Sequence, residues 1–214
     1  INTEVINEIG ASIMYLDILN GKSQFGIEKK CTIPEINNKE MLSLVKARHP
    51  FIDENMVVPL TFEIGKNYNT LLITGPNTGG KTVALKTAGL LTLMTLSGLP
   101  IPADEKTSIG FFNGVFADIG DEQSIEQSLS SFSAHLKNIQ EILNSVTKAS
   151  LILLDELGSG TDPMEGSAFA MAVIDYLKDK KCKSLITTHY SEVKAYGYNE
   201  IDIETASMEF NVET

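Results

Sequence analysis

The eight residues Gly75-Pro76-Asn77-Thr78-Gly79-Gly80-Lys81-Thr82 stand between a short apolar run, Leu71-Leu72-Ile73-Thr74, and a helix-patterned segment, Val83 to Ser97, that stops at Gly98 and Pro100. They fit the pattern G-x-x-x-x-G-K-[ST], which has a mechanism when a strand precedes it and a helix follows. The glycines let successive backbone N–H groups curl around a phosphate, because a Cβ would hinder both the turn and the approach. The start of the helix adds its positive dipole end. Gly75, Pro76, Asn77, Thr78, Gly79, Gly80, Lys81, Thr82 and Val83 are therefore the expected nucleotide-binding residues. Lys81 would reach the β- and γ-phosphates of ATP, and Thr82 would give its hydroxyl to magnesium. The plainer alternative is a glycine-rich turn with an accidental Lys-Thr, and the flanking strand and helix argue against it.

A chain organised around such a loop is expected to be α/β. Phe111 to Ile119 reads as a strand, Ser131 to Leu143 as an amphipathic helix, Leu151 to Leu154 as a buried strand, Glu165 to Leu177 as a helix and Ser184 to Thr187 as a further core strand. Strands alternating with helices imply a mostly parallel sheet with right-handed crossovers. Upstream, Val57 to Ile64 reads as a strand pair around Pro59. Residues 1 to about 20 read as a helix end, with Val5, Ile9, Ile13, Leu16 and Leu19 near helical spacing and Gly21 as the stop.

A second chemical cluster follows Leu151-Ile152-Leu153-Leu154, where the chain continues Asp155-Glu156. A buried strand delivers Asp155 at its carboxyl end, where α/β sheets place ligands. Asp155 is the expected magnesium ligand beside Thr82, and Glu156 the residue that orients or deprotonates an attacking water. A pair of acids that merely caps a loop would be unremarkable alone; after a phosphate loop in one domain it is the weaker reading. Gly158 to Pro163 is either an ordinary connector or a loop that senses a partner subunit, and the residues leave both open. His189 follows Thr187-Thr188 at the end of the next strand, where an imidazole can donate to a γ-phosphate. Lys81, Glu156 and His189 are the candidate catalytic residues.

Ser130, Ser131, Phe132, Ser133 and His135 open the Ser131–Leu143 helix. Ser131 or Ser133 as a simple N-cap is the modest reading. A hydroxyl-rich helix start is also a phosphate site, and a second such site in one domain suggests a second nucleotide held across a dimer.

At this point the chain resembles a known family. Arg48-His49-Pro50, the Gly75–Thr82 loop, Ser130 to His135, Leu151 to Glu156 and Thr188-His189 occur in the order seen in the ATPase domain of MutS proteins, relatives of the ABC-type ATPases. Gly-Pro-Asn-Thr-Gly-Gly-Lys-Thr, Asp118-Ile119-Gly120-Asp121-Glu122-Gln123-Ser124-Ile125 and Asp155-Glu156-Leu157-Gly158-Ser159-Gly160-Thr161-Asp162-Pro163 are most similar to the second bacterial MutS branch. The resemblance covers roughly residues 45–214. It implies a P-loop domain of ABC type over 46–214, with the end of a lever helix and a connector over 1–45. It further implies a head-to-tail homodimer with two ATP molecules, each set between one subunit's phosphate loop and the other's Ser130–His135 segment. DNA or ribosomes would be engaged through clamp, lever and nuclease-like parts outside this chain. The family stacks an aromatic on adenine from the segment before the loop; Phe51, Met56 and Tyr68 are the candidates.

Composition narrows the rest. Acidic residues outnumber basic ones 28 to 17, for a net charge of −11, and Arg48 is the one arginine. Gripping nucleic-acid phosphates asks for the opposite balance, so contact with DNA or RNA is expected elsewhere. The scarcity of arginine also argues against a small-molecule kinase with an arginine lid, and Leu129-Ser130-Ser131-Phe132-Ser133 departs from the Leu-Ser-Gly-Gly-Gln of an ABC transporter subunit. A nucleotide-gated switch with little turnover would have no use for Glu156. Cys31 and Cys182 sit far apart without a CxxC partner, which fits a reducing cytoplasm. No apolar run reaches membrane-spanning length, no signal peptide is visible, and the missing initiator Met suggests a fragment.

Overall fold

A computed structural model describes residues 3–76, 79–120 and 128–208, with the backbone alone for 128–132. The fold is α/β, a mostly parallel sheet flanked by helices. Its five-stranded sheet runs in the order β6 (Gly114–Asp118), β7 (Ser150–Leu154), β8 (Lys183–Thr187), β4 (Thr70–Thr74) and β9 (Ile203–Ser207). Every pairing in it is parallel. β4, β7 and β8 are buried along their whole length, which is why they read as near-continuous apolar runs rather than alternating ones.

The strand period of two sorts these side chains onto two cores. Leu71 and Ile73, Leu151 and Leu153, and Leu185 join Ala84, Leu85, Ala88 and Leu91 of α2 (Lys81–Leu96) on one face. Leu72, Ile152, Leu154 and Ile186 face the other way. There they meet Ile139 and Ile142 of α3 (Ser128–Ser145), Val173, Ile174 and Leu177 of α4 (Pro163–Lys180), and Val193 of α5 (Ser191–Asn199). A smaller sheet, ordered β1 (Glu35–Asn37), β5 (Ser108–Gly110), β2 (Leu42–Ala47) and β3 (Leu60–Ile64), adds Leu42, Leu44, Ile64 and Ile109 to the α2-side core. β2 is antiparallel to both β3 and β5.

This layering positions the site. The loop leaving β4 runs to α2 on one face, while those leaving β7 and β8 run to α4 and α5 on the other. Where neighbouring strands send their loops to opposite faces, the carboxyl ends open into a crevice. The register brings the strand ends level, with Asp118 beside Leu154 and Thr187 beside Ile73.

Several boundaries differ from expectation for identifiable reasons. The first helix, α1 (Thr3–Glu28), passes through Gly21, whose surroundings are empty, and ends where Lys30 turns left-handed at φ 51°. One glycine costs an exposed helix only about 1 kcal/mol, which does not stop it. The stretch from Phe111 to Ile119 is not one strand. Phe111 to Asn113 separates β5, in the small sheet, from β6 in the large one, and the Asn113 N–H donates to the Ala149 carbonyl at 2.9 Å. Around Pro59 only Leu60–Ile64 pairs. α3 begins at Ser128, so Ser131 and Ser133 lie inside the helix and neither is its N-cap. No described helix is long and apolar enough to cross a membrane.

Gly89 of α2 lies against the buried Leu153: a Cβ there would stand 2.5 Å from Leu153 Cδ1. Leu153→Ala is expected to lower the unfolding free energy by about 2–5 kcal/mol. Gly89→Ala should destabilise the native chain but stabilise the Leu153→Ala chain, where the new methyl enters the vacated space and the helix gains propensity. Denaturant unfolding of the four proteins checks the change of sign.

Candidate functional site

Asp155 extends the β6–β7 ladder by one residue, its N–H donating to the Asp118 carbonyl at 2.9 Å. It is 8% exposed. Thr82 Oγ1 donates to its Oδ2 at 2.6 Å, and Thr187 Oγ1 donates to its Oδ1 at 2.6 Å. Such lengths mark charge-assisted bonds. The Thr187 oxygen in turn accepts the Glu156 N–H at 2.7 Å. One carboxylate thus ties the first turn of α2 to the ends of β7 and β8. Thr82 spends its one hydrogen on Asp155, which leaves its lone pairs available to a cation. Among the described residues no group of three His, Cys, Asp or Glu stands where it would hold a metal alone. A hard cation here would be held by Thr82 and Asp155 together with oxygens from a ligand, the usual manner for magnesium on phosphates.

The loop before α2 is built around left-handed glycines. Gly75 has φ 124° and Gly80 φ 85°. At Gly75 a Cβ would also stand 2.8 Å from the Met208 carbonyl oxygen, at the end of β9. The Gly79 N–H donates to the Pro76 carbonyl at 3.0 Å. Lys81 is 1% exposed, and its Nζ donates to the Gly75 carbonyl at 2.8 Å, so the ammonium lies across the loop's own opening. Pro76 and Val83 are exposed. Asn77 and Thr78 lie outside the described residues, as do Asp121, Glu122, Gln123, Ser124 and Ile125.

Glu156 takes φ 49°, a conformation uncommon for a non-glycine residue, and turns the chain sharply away from β7. The turn is then clamped. Tyr190 Oη donates to the Gly158 carbonyl at 2.8 Å. A Cβ on Gly166 would stand 2.4 Å from that same carbonyl oxygen and 2.5 Å from Tyr190 Oη. Asp162 closes the loop as the N-cap of α4, accepting from the Met164 and Glu165 N–H groups at 2.9 and 3.4 Å, with Pro163 in the first turn. The Thr188 N–H donates to the Ile73 carbonyl at 3.2 Å. His189 is exposed, its ring 4.2 Å from that of Tyr190.

Ser130, Ser131 and Phe132 lie in the first turns of α3, their side chains outside the described residues; Ser133 is exposed. His135 turns toward its own chain. Its Nδ1 stands 2.9 Å from Asp118 Oδ2, and Asn138 Nδ2 donates to Asp118 Oδ1 at 2.7 Å. Asp118, His135, Asp155, Glu156 and Ser159 line one small cleft. The larger cleft, about 660 Å³, lies at the base of α1 against Ile27, Ile33 and Leu99, away from the carboxyl ends of the sheet.

Arg48 serves the fold rather than a phosphate. Its guanidinium donates to the Lys29 and Lys30 carbonyls at 3.0 and 3.2 Å and pairs with Glu54 at 3.2 Å, which fastens the end of α1. Of the residues considered for adenine, Phe51 and Met56 stand exposed, whereas Tyr68 packs on the α2-side core. Cys31 and Cys182 are free, and burial raises both thiols, Cys182 to about 11. Sequence reasoning missed Thr187, Asp118 and Asn138. Asp118 had a usable signal, an acid at the end of a strand-like run, the same placement that exposed Asp155.

Residues 71–214 match the family model described as MutS domain V. The chain is 76% identical over 213 residues to a Fusobacterium nucleatum protein called "Endonuclease MutS2", covering 100% of this chain and 27% of that one. A protein of the same name from Caldanaerobacter subterraneus is 54% identical over 213 residues, with the same coverage. One from Clostridium botulinum is 54% identical over 199 residues, covering 93% of this chain and 25% of its own length. The chain therefore spans about a quarter of the length of the curated relatives it matches. These matches correct the resemblance drawn from motifs, which named the ATPase domain of MutS proteins from about residue 45. What matches is MutS domain V, and the match begins at Leu71. Phosphate-loop and acid-pair motifs report a chemistry, and a chemistry does not by itself identify or bound a domain. The chain belongs to the MutS family, with residues 71–214 as its domain V.

Proposed function

We propose that this chain binds ATP with magnesium and hydrolyses the β–γ phosphoanhydride at the crevice over β4, β7 and β8, as a P-loop domain of ABC type. The observation that carries the reading is the 2.6 Å bond from Thr82 to Asp155. It brings the last residue of the Gly75–Thr82 pattern onto a strand-end carboxylate that the pattern does not contain.

Each residue then has a task. The backbone of Gly75, Pro76, Asn77, Thr78, Gly79 and Gly80, continued by Val83, cradles the phosphates at the start of α2. Lys81 leaves the Gly75 carbonyl for the β- and γ-phosphates. Thr82 and Asp155 hold magnesium, which when bound offsets the charge that develops on the transferred phosphoryl group. Glu156 takes the proton of the attacking water. His189, exposed at the crevice, donates to the γ-phosphate. Most of the rate enhancement is positioning and charge stabilisation.

The site is completed across a head-to-tail homodimer, where Ser130, Ser131, Phe132 and Ser133 of one subunit meet the nucleotide of the other. Ser133, exposed at the start of α3, supports this assignment. We take residues 1–45 as the end of a lever helix and its connector and 46–214 as the nucleotide domain, the two joined by the small sheet that β1 and β2 share with β3 and β5. Nucleotide-driven opening and closing then works a cytoplasmic protein engaged with DNA or a ribosome, the contact lying in segments beyond these residues. The net charge of −11 supports that placement. The endonuclease named in the relatives belongs to those segments too.

ATP turnover per subunit is expected to rise with protein concentration, and Glu156→Gln is expected to abolish turnover while nucleotide binding persists. Flat specific activity together with a fully active Glu156→Gln protein sinks the shared-site hydrolase. Asp155→Asn should remove the magnesium dependence of nucleotide affinity. Titration of a fluorescent ATP analogue with and without the ion measures this, and an unchanged dependence puts the metal elsewhere.

A further inference from the structure

Asp118 ends β6 at the level where Asp155 leaves β7, and it is 7% exposed. Both of its carboxylate oxygens are occupied by α3, Oδ2 by His135 Nδ1 at 2.9 Å and Oδ1 by Asn138 Nδ2 at 2.7 Å. A buried carboxylate held in this way fixes a ring rather than a charge pair on a surface. Gly120 fits the same arrangement, since a Cβ there would stand 3.2 Å from His135 Cε1 and crowd the imidazole. A carboxylate only accepts, so against Asp118 the ring hydrogen belongs on Nδ1, and in the tautomer this selects Nε2 is the acceptor. The ring is a third exposed, and it lines the cleft that also holds Asp155, Glu156 and Ser159.

We propose that His135, oriented by Asp118 and Asn138, is a catalytic residue of its own chain's hydrolysis site. This rests on the ATPase reading above. Nε2 accepts one hydrogen of the attacking water while Glu156 accepts and keeps the other, which leaves the water's lone pair directed at phosphorus. The water oxygen bonds to the γ-phosphorus, the bridging P–O bond breaks, and its electron pair departs on the β-phosphate. Asp118 and Asn138 are positioning residues, acting through the ring. The assignment also divides the work of α3. Residues two apart on a helix are separated by about 200°, so His135 turned inward is compatible with an exposed Ser133 serving a partner's nucleotide.

The test compares steady-state ATP hydrolysis, affinity for a fluorescent ATP analogue and melting temperature for His135→Ala, His135→Gln, Asp118→Asn and Glu156→Gln. Asp118→Asn is close to isosteric; its amide can donate to Nδ1 and so reverse the tautomer. We expect His135→Ala and Asp118→Asn to lose about 10²-fold or more in kcat, with affinity within twofold of the native chain. His135→Gln, whose amide oxygen lies near the Nε2 position, should retain part of the rate. A His135→Ala protein that turns over normally while Glu156→Gln is dead overturns this inference and leaves the ATPase reading standing. Parallel losses of affinity and melting temperature in both Asp118→Asn and His135→Gln also overturn it, since they mark a structural role. A native chain without turnover, or an active Glu156→Gln protein, brings down both readings. Mixing His135→Ala with Glu156→Gln decides between chains. If His135 serves its own chain, every site in a mixed dimer is defective and no activity returns. Recovery on mixing overturns the assignment and places the imidazole across the interface.

Discussion

The Asp155 carboxylate is the interaction on which the rest of the site depends. It is buried at the end of a strand inside a parallel sheet, where an unpaired charge would be expensive. Two threonine hydroxyls, from the start of α2 and the end of β8, supply the compensation. The consequence is geometric. Elements whose loops diverge to opposite faces of the sheet are held together at one point, so the glycine loop, the acid pair and the end of β8 keep a common origin. Because Thr187 also receives the Glu156 N–H, the left-handed turn at Glu156 is fixed from the same carboxylate.

Beyond that point the crevice is braced by close backbone approaches. Gly158, Gly166 and Tyr190 leave no space for an added methyl, so the chain after Glu156 is set against α4 and α5 rather than hanging free. Gly75 does the same against the end of β9. A residue in an unfavourable conformation persists only when its surroundings over-determine it, and at Glu156 Thr187, Gly158, Gly166 and Tyr190 are those surroundings.

Much of this was legible in the residues. Gly75 to Thr82 and Asp155-Glu156 announce themselves because close backbone approach leaves glycine as a signature and a strand-end acid interrupts an apolar run. The parallel sheet followed from runs such as Leu151 to Leu154, apolar without alternation. What stayed hidden depended on long-range pairing. Thr187 looks like any strand threonine until it meets a carboxylate 32 residues away. The partition of Phe111 to Ile119 between two sheets, and the attachment of His135 to Asp118, are likewise decided by neighbours distant in sequence. Arg48 shows the reverse. Standing beside motif residues, it invites a role at phosphate, yet its donors are spent on Glu54 and on the two carbonyls just beyond the end of α1.

That fastening has a mechanical consequence. α1 buries none of its 26 residues and is fastened near its base, where Phe25 packs on the α2-side core, Arg48 holds the carbonyls just beyond the helix, and the Lys22 ammonium donates to the Gly98 carbonyl at 3.0 Å. At 1.5 Å per residue it is about 39 Å long. A rod of that length clamped at one end is an amplifier of angle. A tilt of about 10° at its root carries its tip roughly 7 Å, for a rise of 1.5 Å per residue. Lys22 reaches Gly98 just beyond the C-terminal end of α2, and α2 begins at Lys81 and Thr82. A shift of α2 at Lys81 and Thr82 would therefore reach the root of α1 through Gly98 and Lys22.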